Sequence, residues 1–140
     1  MQCSTVEYLT FIDNSLLTIA YFRSKFQLMQ ELIQQAWGNR ELLKDNTYAD
    51  AVRVVIEELD KGRLRVASPS AEGWVVNEWV KQAILMYFGI QQMKTWNIEP
   101  FEFYDKMLLK KNYKDLGVRA VPHAVARYGA YLAKNVVLMP

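Results

Sequence analysis

The sequence predicts an α+β fold, a small helical domain with short strands that ends in the first hexapeptides of a β-helix, and three observations carry that expectation. An apolar stripe recurs at helical spacing between Thr47 and Gly62, turn chemistry flanked by extended residues fills 63–76, and a six-residue recurrence marks the last fifteen residues. At 140 residues, 51% of them apolar and 23% charged, the chain is long enough to bury one core.

The first helical pattern opens at Met29. In MQELIQQAWGNRELL, Leu32, Ile33, Ala36 and Trp37 recur at helical spacing with Glu31, Gln34 and Gln35 between them. The next segment, TYADAVRVVIEELDKG, carries more signals. Thr47 with Asp50 reads as a capping box, and Ala51, Val52, Val55, Ile56 and Leu59 share one face. Glu57 precedes Lys61 by four residues, the favourable order for an ion pair, and Gly62 offers a left-handed stop.

The period then changes. Arg63 to Val66 alternates, Ser68 to Gly73 is turn chemistry and Trp74-Val75-Val76 resumes extended character, which together predict a hairpin. Asn77 is placed to cap a third helix, EWVKQAILMYF, with apolar residues at 79, 80, 83, 84 and 87 and a stop at Gly89. From Ile90 to about Met107 the chain is aromatic and β-prone, broken by Pro100.

In the last fifteen residues Ala126, Leu132 and Leu138 lie six apart, with Ala130 and Val136 at a fixed offset. A six-residue period with small or aliphatic inward positions is the mark of a parallel β-helix solenoid. On this stretch alone a single strand with a loop is the simpler account, and a solenoid needs several stacked repeats to bury its interior.

Composition excludes several function classes. Seventeen basic residues against fifteen acidic ones leave a net charge of +2, too little for a general pull on nucleic acid or an anionic membrane. A single cysteine, Cys3, allows no intrachain disulfide or cysteine-based metal site, and a single histidine, His123, excludes multi-histidine clusters, so no metal site is expected. Residues 9–22 are fairly apolar but are interrupted by Asp13 and Asn14. They lack both the basic stretch before and the small-residue cleavage site after that a secretory signal requires. A cytoplasmic, membrane-free setting is the expectation.

The order of the pieces, "DKGRLRVA", "GWVVNEWVKQAILMYF", "FEFYDKMLLKKNY" and "LGVRAVPHAVARYGAYLAKNVVLMP", resembles the N-terminal half of the tetrahydrodipicolinate N-succinyltransferases. The resemblance covers residues 29–140 and is most specific over Leu64–Trp79 and Gly117–Pro140. It implies three segments: 1–28 as an extension outside the family pattern, 29–124 as an α+β N-terminal domain, and 125–140 as the incomplete start of a left-handed β-helix. It also implies a homotrimer when full length, with sites between subunits. The reaction implied is transfer of succinyl from succinyl-CoA, a co-substrate rather than a bound cofactor, to the acyclic amino form of tetrahydrodipicolinate in lysine and diaminopimelate synthesis. Because the β-helix and an aspartate of the family's substrate site would lie beyond Pro140, this chain alone is expected to be inactive. A stand-alone α+β interaction module without catalysis is the alternative.

The family's G-aromatic-R-V-V-P segment, whose arginine binds the dicarboxylate, is here Gly117-Val118-Arg119-Ala120-Val121-Pro122, so the resemblance gives Arg119 the substrate-binding role. A guanidinium suits it, because its planar fork holds a carboxylate by two charge-assisted bonds. Val118 stands where the family often has phenylalanine, and His123 where some members have a second proline. No catalytic residue is assigned. Outside the motif, Arg119 would read as an ordinary surface cation. Arg127 is a candidate carboxylate contact that reads more simply as a solvated or inter-subunit pair. His123 has the chemistry of a general base but is more simply structural. Lys106, Lys110, Lys111 and Lys114, flanked by Asp105 and Asp115, read as a solvated face, and Trp37, Trp74, Trp79 and Trp96 as core aromatics.

Overall fold

Ile33, Val52, Val55 and Val80 are almost wholly shielded from solvent, and they come from three different helices. A computed structural model describes residues 24–140; the apolar run 9–22 and nearly all of the predicted 1–28 extension lie outside the described residues. Residues 24–38 are helical (α1), followed by a short 3-10 helix Arg40–Lys44, α2 (Asn46–Asp60) and α3 (Glu78–Ile90). Their facing stripes close one core, with Met29, Ile33 and Ala36 from α1, Val52, Val55, Ile56 and Leu59 from α2, and Val80, Ala83, Met86 and Tyr87 from α3. The predicted stripe of α2 is buried at all five positions.

Several boundaries differ from the sequence expectation. Helix α1 already runs through residues 24–28, with Phe26 packed on the core, so Met29 lies inside a helix rather than opening one. The run from 29 to 43 is two elements, because the chain leaves the helix at Asn39, whose side chain accepts from the Glu41 amide. The cap of α2 is Asp45, not Thr47: its Oδ1 accepts from the Thr47 amide at 2.7 Å, and that bond holds the carboxyl below its ordinary pKa. Asp50 instead pairs with Arg53. Gly62 does end the helix in the left-handed region (φ 71°), and the Arg63 and Leu64 amides return to the Glu58 carbonyl. Glu57 and Lys61 form the expected ion pair.

The first hairpin is present but shifted. Its strands are β1 (Ala67–Ser70) and β2 (Gly73–Val76), so Ser68-Pro69-Ser70 is strand and the turn is only Ala71-Glu72. Ser70 drives the tight reversal: its Oγ donates to the Gly73 carbonyl and accepts from the Glu72 amide. Asn77 occupies the cap position of α3 without capping it. Its Nδ2 donates to the Arg65 carbonyl at 2.8 Å, tying the helix entry to the chain before the hairpin. Gly89 does not stop α3, which continues to Ile90. The aromatic stretch is a second antiparallel hairpin, β3 (Lys94–Ile98) with β4 (Phe101–Asp105), with Pro100 in its turn. A parallel pair, β5 (Arg119–Ala120) with β6 (Val137–Leu138), completes three separate two-stranded sheets among the described residues.

The tryptophans are not uniformly core. Trp79 packs against the helical cluster, but Trp74 is 71% exposed on the first hairpin and Trp37 is partly covered by the Arg40 guanidinium, 3.9 Å from its ring centre. Hairpin β1–β2 has only two strands and its β2 residues are all exposed, so it offers a tryptophan no interior. Among the described residues no helix is long and apolar enough to cross a membrane.

Candidate functional site

Arg119 sits on β5 between an anchored residue and a paired one. Val118 before it is buried, the Arg119 amide donates to the Val136 carbonyl at 3.0 Å, and the Val121 amide donates to Leu138 at 2.9 Å. Strand alternation then turns the Arg119 side chain outward, where it is exposed and has no hydrogen-bond or ion-pair partner among the described residues. The turn that presents it needs Gly117 at φ 65°, and the Asn135 amide closes on the Gly117 carbonyl at 2.8 Å. The backbone is therefore fixed while the guanidinium is exposed and, among the described residues, unpaired.

The strands pair in parallel with Arg119 opposite Val137, eighteen residues along, which is three of the six-residue periods. The recurring positions Ala126, Leu132 and Leu138 are all half-buried, as is Val136, whereas Ala130 is exposed.

The other candidates separate. His123 is exposed in a turn and has no side-chain partner among the described residues. Arg127 is paired within the chain: its Nη2 donates to Asp105 Oδ2 at 2.9 Å and its guanidinium lies 5.9 Å from the Phe88 ring centre. The side chain stays more than half exposed beside this pair. Lys111 and Lys114 are exposed as expected, but Lys110 is not on a solvated face. It is 8% exposed, and its Nζ donates to Asp60 Oδ1 and to the Ala130 carbonyl, both at 2.6 Å. No local pattern marks this contact, because its partners lie fifty and twenty residues away. Beside it, burial raises the Tyr128 phenol, and the Asp60 carboxylate pushes it the same way.

A cleft of about 1130 Å³ lies beside this contact, walled by Trp96, Tyr113, Tyr128 and Tyr131 among others. A second, of about 590 Å³, lies between the start of α2 and the end of α3 and is edged by Arg40, Lys44 and Arg53. Neither is lined by Arg119 or His123. Among the described residues no three histidine, cysteine, aspartate or glutamate side chains are grouped to hold a metal ion.

Residues 28–90 match the family described as tetrahydrodipicolinate N-succinyltransferase N-terminal. A 2,3,4,5-tetrahydropyridine-2,6-dicarboxylate N-succinyltransferase of Bordetella petrii is 43% identical over 122 residues, covering 80% of this chain and 45% of the relative. The protein of the same name from Cupriavidus metallidurans is 42% identical over 125 residues, covering 81% and 46%, and that from Bordetella pertussis is 42% identical over 122, covering 80% and 45%. The chain thus spans a little under half the length of the relatives it matches. Residues 28–90 thus match the tetrahydrodipicolinate N-succinyltransferase N-terminal family, and along about four-fifths of its length the chain is similar to these enzymes.

Proposed function

We propose that this chain forms the N-terminal portion of an acyltransferase that moves a succinyl group from succinyl-CoA to the amino group of acyclic tetrahydrodipicolinate, in lysine and diaminopimelate synthesis. The observation that carries the reading is Arg119, a guanidinium without a partner among the described residues on a backbone pinned at both sides, inside the segment that resembles the family's substrate-binding motif. A dicarboxylate needs such a partner, and a bidentate pair orients it as well as binding it. The parallel pairing of Arg119 with Val137, three hexapeptide periods on, supports one coil of a left-handed β-helix that begins at β5, ahead of the boundary at residue 125 that the resemblance implies.

In this reading the substrate amine attacks the thioester carbonyl, a tetrahedral oxyanion forms, and the C–S bond breaks as CoA leaves as its thiol and the amine loses a proton. Preorganised donors stabilise the oxyanion, and holding both substrates together supplies much of the rate. Arg119 positions the acceptor and moves no proton. A protein nucleophile is unnecessary because the amine fills that role. The CoA side of the site, the trimer and the cytoplasmic setting belong to the same proposal. The division at residue 28/29 is likewise proposed as a family boundary, one that falls within helix α1.

A second reading, an interaction module without catalysis, is favoured by the 1130 Å³ cleft, whose walls include the exposed Ile98, Val125 and Tyr131. One experiment separates the two. Residues 24–140 are joined to the remaining half of the Bordetella petrii relative, and tetrahydrodipicolinate-dependent CoA release is measured. Turnover well above that of either half alone supports the acyltransferase. A folded fusion with no turnover favours the module.

A further inference from the structure

Asp60 ends helix α2, yet its Oδ1 belongs equally to the C-terminal segment. It accepts from Lys110 Nζ at 2.6 Å and from the Gly129 amide at 2.9 Å. Lys110 is held on the other side as well, because its Nζ donates to the Ala130 carbonyl and its amide donates to the Ala126 carbonyl at 2.8 Å. The Tyr128 amide closes the same ladder onto Leu108 at 2.7 Å. The ion pair is shielded, with the two side chains 5% and 18% exposed. A charged group withdrawn from water this far is costly unless its partner stays in place, so the contact holds one geometry or breaks altogether.

We infer that Asp60 and Lys110 form the joint that sets the C-terminal segment, and with it Arg119, in a fixed position on the helical unit. The inference rests on the reading of Arg119 as the substrate-binding group. The path between them is ordered. After Lys110 the chain makes a turn in which the Gly117 amide donates to Lys114 and the Val118 amide to Tyr113, each within 3.0 Å, and it delivers Val118 buried and Arg119 outward. Tyr113 is tied back to the joint by its hydroxyl, which accepts from the Ala126 amide at 3.3 Å. Asp60 and Lys110 are therefore positioning residues, acting on a guanidinium they do not touch.

The test uses the full 140-residue chain. Amide hydrogen exchange is followed at Gly129, Tyr128, Lys110 and Arg119, with Val55 and Met86 in the helical core as internal controls. Asp60→Ala and Lys110→Met are each expected to lower protection at the first set by at least about tenfold while the helical amides change less than about twofold, the signature of local opening. Asp60→Asn keeps an acceptor for Gly129 and should lose less there than Asp60→Ala. As a second readout, spin labels at the exposed positions 81 and 133, with Cys3→Ser, should give a broadened distance distribution in Lys110→Met. Labels at 53 and 81, both on helices, should not. Equal loss of protection in both regions would make the pair a general stabiliser and overturn the joint, as would unchanged protection or unchanged distances. Arg119→Lys should leave every one of these signals unaltered. A wrong reading of Arg119 would therefore show in the activity of the fusion with these signals intact, whereas a failed joint shows in these signals directly.

Discussion

Gly62 lies directly beneath the ring of Tyr131: a β-carbon placed on Gly62 would come within 2.7 Å of the ring atoms. The end of α2 is thereby docked to the C-terminal segment by a contact that only glycine permits, and the same residue needs φ 71° to stop the helix. Gly62→Ala should cost about 1–2 kcal/mol from the left-handed backbone alone, a fall in Tm of roughly 3–8 °C. Tyr131 is more than half exposed and can swing away, so Tyr131→Ala should recover little of that loss. Thermal melts of the single and double variants check this. Near-complete recovery in the double variant would place the cost in the ring contact instead.

Glu58 gives a pH dependence of definite sign. Its carboxylate accepts from Arg63 Nε at 2.6 Å and Nη2 at 3.0 Å, and that hydrogen bonding holds its pKa below 4.5 against the opposing effect of burial. A carboxyl depressed on folding contributes stability that is fully present above its unfolded pKa and is lost as pH falls through the folded value. Stability should therefore drop below about pH 4.5. Glu58→Gln, with Arg63 half-exposed and screened, should cost about 1 kcal/mol at pH 7. The gap between variant and parent should close as both are titrated down through the acid range in which the parent's Glu58 protonates. A gap that persists there would exclude the ionic contribution.

How much of this was legible in the sequence depends on the range of the interaction. The α2 stripe, the Glu57–Lys61 pair and the Gly62 stop are set by residues within one or two turns, and they stand where the pattern puts them. The cap moved to Asp45 because an aspartate immediately before the helix competes with Thr47 for the same orphan amides. The hairpin moved because Ser70 closes a two-residue turn that its composition alone does not place. Asp60 and Lys110 carry no local signal at all, and Lys110 is indistinguishable in sequence from its three neighbouring lysines because its partner lies fifty residues away. Arg119 was legible only through the family motif, since nothing in its immediate neighbours separates a ligand-binding arginine from a surface one.

Trp74 lies outside the helical core. At 71% exposure on a two-stranded hairpin it has little packing to lose, so Trp74→Ala should change stability by no more than about 0.5 kcal/mol. Ile33→Ala, at a site with no exposure, should cost about 2–4 kcal/mol. Chemical denaturation of both variants under one set of conditions gives the contrast. Comparable losses would mean that the hairpin is bound into the core.

The last prediction concerns the residue on which the proposed function turns. In the active fusion with the remaining half of a relative, Arg119→Lys keeps the charge but loses the planar fork, so one charge-assisted hydrogen bond to the dicarboxylate goes. Such a bond is worth roughly 1.5–3 kcal/mol, which at about 1.4 kcal/mol per decade is a 10- to 150-fold fall in kcat/KM for tetrahydrodipicolinate. The KM for succinyl-CoA should hardly change, because the guanidinium addresses only the acceptor. Fold effects should be small as well: the Arg119 side chain is exposed and unpartnered among the described residues, and its strand pairing uses only the backbone. The measurement is steady-state kinetics in both substrates alongside a melting curve. Unchanged kcat/KM at an unchanged Tm would make Arg119 an ordinary surface cation and remove the main support for the proposed site, whereas equal losses for both substrates would point to a disturbed coil rather than a lost carboxylate contact.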